Sequence, residues 1–348
     1  MHRRTLLKGA VAGALLPLFA ASGRTSPPKF SSDADVRIMI APDSTPPVYG
    51  DKGKEYIYRL GLAALEYTDK CYSGSQMPIW GKRPDEVDLE KRTINIAYWV
   101  GRGVAENHSI YPLDPAWIMA QIMAESLFYE FAVSWAFAVG VCQFIPPTAA
   151  EYGLSCADKT ELPKSALRLP HLAGELDRYY ALQKRLSRLK LDNPLLYKDK
   201  DRILKRALEA LHSNEEVDWA GKNLHILGEE EKLDENLDSA RKNYTRFLQA
   251  NFQDRDIFSR GDLDFLLRFD QRVTYKAPIQ AMTKMMAQHL KKRQGNVLTA
   301  TAGYNAGLGH TRVDSRIYGP YGLIPSFEQT VTYVSRIAVN HHEIVSRL

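Results

Sequence analysis

Glu125 follows Ile122, Met123 and Ala124, and a carboxyl with such neighbours is a candidate general acid. Apolar surroundings disfavour the charged form and raise the pKa toward the value a proton donor needs near neutral pH. A surface glutamate in the last turn of a helix accounts for the local pattern equally well. Glycoside hydrolysis usually employs two carboxylates, and no second one is framed in this way. The run His341-His342-Glu343 lacks the His-Glu-x-x-His spacing of a zinc helix and reads as an exposed helix face. Cys71, Cys142 and Cys156 form neither a CxxC pair nor a zinc-ligand spacing, and nothing calls for a metal or another cofactor. Cys142 lies in an apolar run and reads as buried, so Cys71 and Cys156 are the pair expected to join in an oxidising compartment.

Helices must position these residues. Asp114-Pro115 is a helix start, with Asp capping free amides and Pro at the first helical position. Trp117, Ile118, Met119, Ile122 and Met123 make that helix apolar on most faces, which predicts burial. Upstream, Tyr56, Leu60, Ala63, Ala64 and Tyr67 form one helical stripe. Ile94, Ile96, Ala97, Val100 and Val104 mark a second helix over 93–105, and Ile279, Met282, Met285, Met286 and Leu290 another over 274–292. Between them, residues 158–267 are crowded with charge, with apolar residues at alternating spacings of three and four. The stripes are Leu172, Leu176, Tyr179, Leu186 and Leu189; Ile203, Leu204, Leu208 and Leu211; and Leu233, Leu237, Ala240, Tyr244 and Phe247. That spacing is the seam of packed helices, and the basic first arm and acidic last arm fit an antiparallel hairpin or small bundle. Strand patterns are almost absent, so the fold class is mainly α.

Several separated blocks occur in order: Glu125-Ser126-x-Phe128, Ala132-x-Ser134, Gly140-Val-Cys-Gln143-x-x-Pro146-x-Thr148-Ala149, Tyr304-Asn305-Ala306-Gly307 and Thr330-x-x-Tyr333-Val334. The series resembles the soluble lytic transglycosylases, relatives of the goose-type lysozymes, over roughly residues 109–156 and 275–340. The resemblance implies a lysozyme-like α domain in which Glu125 is first acid and then base. It would cleave the bond between N-acetylmuramic acid and N-acetylglucosamine and leave a 1,6-anhydro end. By position, Ser126 is implied near the substrate N-acetyl group and Gln143 along the sugar groove. Tyr304 is implied at the catalytic carboxylate with Asn305 beside it, and Tyr333 as the closing tyrosine. Gly307 and Gly309 read as the tight turn beside the glycan. Three departures stand out: Val141-Cys142 replaces Leu-Met, Phe137 replaces a small Gly, and Gln329 replaces the Glu before Thr330. A hydrolytic lysozyme on the same scaffold, and a non-catalytic wall-binding or envelope-assembly module, are the rival readings.

The chain has 348 residues, 45% hydrophobic and 25% charged, enough for two or three domains with a proper core. Residues 1–23, with Arg3-Arg4, an apolar stretch and small residues after it, read as a twin-arginine signal peptide. Without its cations the formal charge of +5 becomes nearly balanced, and the basic residues of 158–267 are matched by acids, which argues against nucleic acid. The expected organisation is a linker over 24–53, an N-terminal helical region over 54–108, a lysozyme-like domain over 109–157 and 268–348, and the 158–267 insertion. The expected location is the periplasm, with membrane contact only through an uncleaved N-terminus. The expected partners are peptidoglycan glycan strands and an envelope protein docking on the insertion.

Overall fold

The computed structural model describes residues 38–44, 50–215 and 218–348. The expected leader and most of the 24–53 linker lie outside the described residues. Twelve α-helices occur among the described residues and no strand does; isolated bridges join Val133 to Val139 and Val139 to Phe144. The chain divides into two compact units, one made of the residues through Cys156 plus Arg255–Leu348, the other of Ala157–Asp254.

The first unit contains α1 (Gly50–Tyr72), α2 (Leu89–Asn107), α3 (Pro115–Ser126) and α4 (Pro146–Glu151). The second holds α5 (Glu175–Asp192), α6 (Pro194–Lys198), α7 (Lys200–His212) and α8 (Asp218–Phe252). The first unit resumes with α9 (Arg260–Phe269), α10 (Lys276–Lys292), α11 (Val297–Ala306) and α12 (Glu328–Val345).

Helix α3 is the axis of the first unit. Asp114 caps it, its Oδ1 accepting from the Ala116 amide at 2.8 Å, and Pro115 opens the first turn. Every α3 residue except Ala124 is buried, as the all-round apolar pattern predicts. Ile118 and Ile122 of α3 and Ile337 of α12 are at most 1% exposed. Each such side chain contributes about 1.5–3 kcal/mol relative to exposure. Asn340 donates to the Ala120 carbonyl at 3.2 Å, and His341 meets Asp114 at 2.7 Å, so α12 runs antiparallel along α3. Both His341 and His342 are therefore buried, which corrects the exposed helix face expected for them. The reason is Asp114: one oxygen caps α3 while the other holds His341.

The N-terminal helices, expected as a region of their own, share this core. Tyr67, Leu60, Ala63 and Ala64 of α1 are buried with Ile96, Val100 and Val104 of α2 in the same cluster as α3 and α10. At the crossing of α2 and α10 a Cβ on Gly103 would meet Thr283 Oγ1 at 2.5 Å, and Asn107 donates to that hydroxyl at 3.2 Å.

In the second unit Leu176, Tyr179 and Leu182 of α5 are buried, as are Leu233, Ala240, Tyr244 and Phe247 of α8. Lys190 pairs with Glu230 at 2.8 Å and Arg178 donates to Asn236 at 3.0 Å, which makes the two helices antiparallel with complementary charge. Two expectations change. Leu204, Leu208 and Leu211 of α7 are about 60% exposed and form no buried seam; α7 turns Ala210 inward instead. Residues 255–267, expected within the insertion, belong to the first unit, where α9 buries Leu266 and Phe269.

None of the three cysteines is joined in a disulfide among the described residues, which corrects the expected Cys71–Cys156 bond. Cys71 is exposed at the end of α1, beside Tyr67 and Glu343, while Cys156 is 4% exposed within the core. Cys142 is fully buried, as its apolar run predicts.

Candidate active site

Glu125 projects from the last turn of α3. The helix stops there because Leu127 adopts a left-handed conformation, φ 49°, with its amide bonded to the Met123 carbonyl. Glu125 is 8% exposed, and the Tyr333 hydroxyl of α12 donates to its Oε1 at 2.5 Å. One turn back on α3, Gln121 is fully buried and donates through Nε2 to the Tyr333 oxygen at 3.0 Å. Burial pushes the Glu125 carboxyl up to about 8, against the opposing pull of the Tyr333 hydrogen bond and of Arg336 one turn further along α12. The carboxyl can thus carry a proton near neutral pH and, once it has given the proton up, hold its charge against a phenol donor. Burial and the Glu125 charge hold the Tyr333 and Tyr304 phenols well above their usual range, so both remain donors.

The segment after Glu125, residues 127–145, is folded back by arginines and not by regular structure. Arg272 is fully buried and donates from Nη1 to the carbonyls of Phe137 at 2.7 Å and Phe144 at 2.9 Å. Its charge is met by Asp270, whose oxygens lie 2.9 and 2.7 Å from Nε and Nη2. The Arg272 backbone comes so close to Gly140, φ 81°, that a Cβ there would sit 1.9 Å from the Arg272 carbonyl oxygen. Phe137, which departs from a small residue in the resemblance, adopts φ 64° and presents its carbonyl to Arg272. On the other side Glu130, fully buried, receives Arg92 Nη2 at 2.8 Å and Nε at 3.1 Å. Trp80 donates to the Leu127 carbonyl at 2.8 Å, with the Arg92 guanidinium 5.2 Å from its ring.

The remaining expected residues fall around this frame. Ser126 is fully buried, and its hydroxyl lies 3.2 Å from the carbonyls of both Ile122 and Val141. Gln143, φ 48°, spends its amide on the carbonyls of Ala132 and Gly140 at 3.2 and 2.9 Å. Both side chains thus brace the segment that encloses Glu125. Tyr304 donates to the Cys142 carbonyl at 2.6 Å, so the phenol expected at the carboxylate is supplied by Tyr333 instead. Asn305 accepts from Thr330 Oγ1 at 2.9 Å, linking α11 to the first turn of α12. Gly307 takes φ 85° as a turn requires, whereas Gly309 does not need a glycine conformation.

Gln121, Arg92–Glu130 and Arg272–Asp270 were missed in the sequence. Gln121 did leave a signal, one amide in an apolar helix and one turn before Glu125 on the same face. The arginines left none, because each partner lies in a distant segment. Among the described residues no group of three or more His, Cys, Asp or Glu side chains is placed to hold a metal ion.

Residues 104–173 match the family model of the Transglycosylase SLT domain. The match spans Glu125, Ser126 and Gln143, while Tyr304, Asn305 and Tyr333 lie beyond it. No solved structure matches the chain.

Proposed function

We propose that this chain, which carries a transglycosylase SLT domain and acts on peptidoglycan, cleaves the glycan strand through Glu125 alone. Glu125 protonates the oxygen between N-acetylmuramic acid and N-acetylglucosamine, and that bond breaks. The substrate's own N-acetyl group supports the cation that develops. The resulting Glu125 carboxylate then takes the proton of the muramyl C6 hydroxyl as that oxygen bonds to C1. The product is a 1,6-anhydro end, and Glu125 is returned protonated. One group serves both steps because the first creates the base the second consumes.

The observation that carries this reading is the state of the buried acids. Glu130 and Asp270 are committed to Arg92 and Arg272, whereas Glu125 is held by a phenol at 2.5 Å and titrates at about 8. A two-carboxylate mechanism needs a second free acid or base, and neither arginine-bound carboxylate supplies one. Action in the periplasm accords with the leader read in residues 1–23; among the described residues no helix is long and apolar enough to cross a membrane.

Zymography on purified sacculi tests the assignment. The wild-type chain should clear and Glu125→Gln should not; clearing by both removes Glu125 from the role. Mass spectrometry of the released muropeptides separates lyase from hydrolase. Anhydro ends, one water lighter than reducing ends, are expected, and reducing ends alone would make the protein a lysozyme.

A further inference from the structure

Within the reading of Glu125 as the acid, a second α3 residue stands behind it. Gln121 does not reach Glu125. It reaches Tyr333, and the geometry fixes what Tyr333 can do: a hydroxyl has one hydrogen, and an oxygen that accepts from Gln121 Nε2 at 3.0 Å is free to point that hydrogen at Glu125 Oε1. All three side chains are buried, at 0, 7 and 8% exposure, so bulk water does not compete for these bonds. The opposite face of the amide is the second observation. Gln121 Oε1 is buried and accepts no hydrogen bond, an expense seldom tolerated in a core.

We propose that Gln121 is a positioning residue that sets the direction of the Tyr333 hydroxyl and reverses it as Glu125 changes protonation state. With Glu125 ionised, the order of donation is Gln121 Nε2 to Tyr333 to Glu125, as seen here. With Glu125 protonated, its own O–H donates to the Tyr333 oxygen, and the Tyr333 hydrogen must turn away. A half-turn of the Gln121 amide brings Oε1 to meet it. An amide offers a donor and an acceptor on one flat group, which neither a carboxylate nor an ammonium can do. The atom without a partner in one state is the acceptor needed in the other. Gln121 thereby stabilises both forms of a residue that must be acid in one step and base in the next.

The test is the pH dependence of sacculus cleavage by the full chain in wild type, Gln121→Met, Tyr333→Phe and the double variant. Gln121→Met keeps the volume and removes both the donor and the acceptor. Each form of Glu125 loses support, but the chain of donors that ends on the charged carboxylate is the stronger. The basic limb of the profile therefore moves up by roughly half to one pH unit, the difference between the two. Because Gln121 acts through Tyr333, adding Gln121→Met to Tyr333→Phe should move the limb no further. An unmoved limb in Gln121→Met, or the same shift in the Tyr333→Phe background, overturns the proposal. A wild-type measurement does not depend on whether Gln121→Met folds. In protein labelled with 15N-glutamine, the Gln121 side-chain amide should shift with pH in wild type and stay constant in Glu125→Gln and Tyr333→Phe. A pH-invariant amide in wild type overturns the proposal. Should the wild type cleave no glycan, the functional reading fails, and the amide titration still decides the role of Gln121.

Discussion

Arg272 donates to the carbonyl of Phe137 across 135 residues of chain, at 2.7 Å, with neither group exposed to solvent. The segment that follows Glu125 is therefore held by a turn distant in sequence but within the same unit, and the neutrality of that anchor depends on Asp270. Arg272→Leu takes the guanidinium away from the buried Asp270 carboxylate and should cost roughly 3–5 kcal/mol in urea denaturation. Replacing Asp270 by Asn in the same chain should recover part of the loss. A destabilisation under 1 kcal/mol would show that the pair does not hold the segment.

Glu125→Gln should stabilise the protein, and increasingly so as pH rises. The carboxyl titrates at about 8 in the folded protein against 4.5 ordinarily. Folding favours its protonated form, so its favourable contribution is full below pH 4.5 and is lost as pH rises through 8. The variant has nothing to lose over that window. Thermal melts should agree near pH 4 and diverge by an amount on the order of a few kcal/mol at pH 8.5. Parallel curves across the range would mean that Glu125 is solvated.

Tyr333→Phe should lower the rate of glycan cleavage about 10-fold or more, with an upward shift of the basic limb. Tyr304→Phe should leave that limb in place, because its phenol serves the Cys142 carbonyl and not the carboxyl. Equal shifts in the two variants would contradict the division of labour between these tyrosines.

Thiol labelling distinguishes the cysteines. Cys71 is exposed, while Cys142 and Cys156 are buried. The folded protein should consume about one equivalent of a thiol reagent quickly, although partial burial pushes the Cys71 thiol up, against the opposing pull of the Tyr67 hydrogen bond, and slows it below pH 8. Denaturant should release two more. Protection of all three in the purified, non-reduced protein would indicate a bond involving Cys71.

Residues 158–253 should be removable. Arg168, Arg178 and Lys190 bond to Asp254, Asn236 and Glu230 within the second unit. A short linker in their place should leave a cooperative thermal transition and the Glu125-dependent cleavage. A cut extended to residue 267 should fail, since it removes most of α9, whose Leu266 and Phe269 are fully buried. Two equally stable deletions would place α9 outside the core.

Local chemistry made much of this legible in the sequence. Asp114-Pro115 announces α3, the apolar residues after it announce burial, and Glu125 is conspicuous because it ends that run. Long-range pairing was harder to see. His341 looked exposed because its neighbours His342 and Glu343 are polar, and only the antiparallel passage of α12 reveals Asp114 opposite. Tyr304 and Tyr333 could not be told apart by type; which hydroxyl reaches Glu125 depends on how α11 and α12 end beside α3. Leu204, Leu208 and Leu211 repeat at helical spacing as a core stripe does, yet spacing states that residues share a face and not that anything covers it.

The phenol that completes Glu125 stands 208 positions after it. Synthesis makes the acid well before its partner, so a chain cut before α12 lacks the phenol that donates to Glu125. The phenol is not supplied by the motif around residue 125; it arrives when α12 packs along α3, which ties the proposed acid–base role of Glu125 to the docking of that helix.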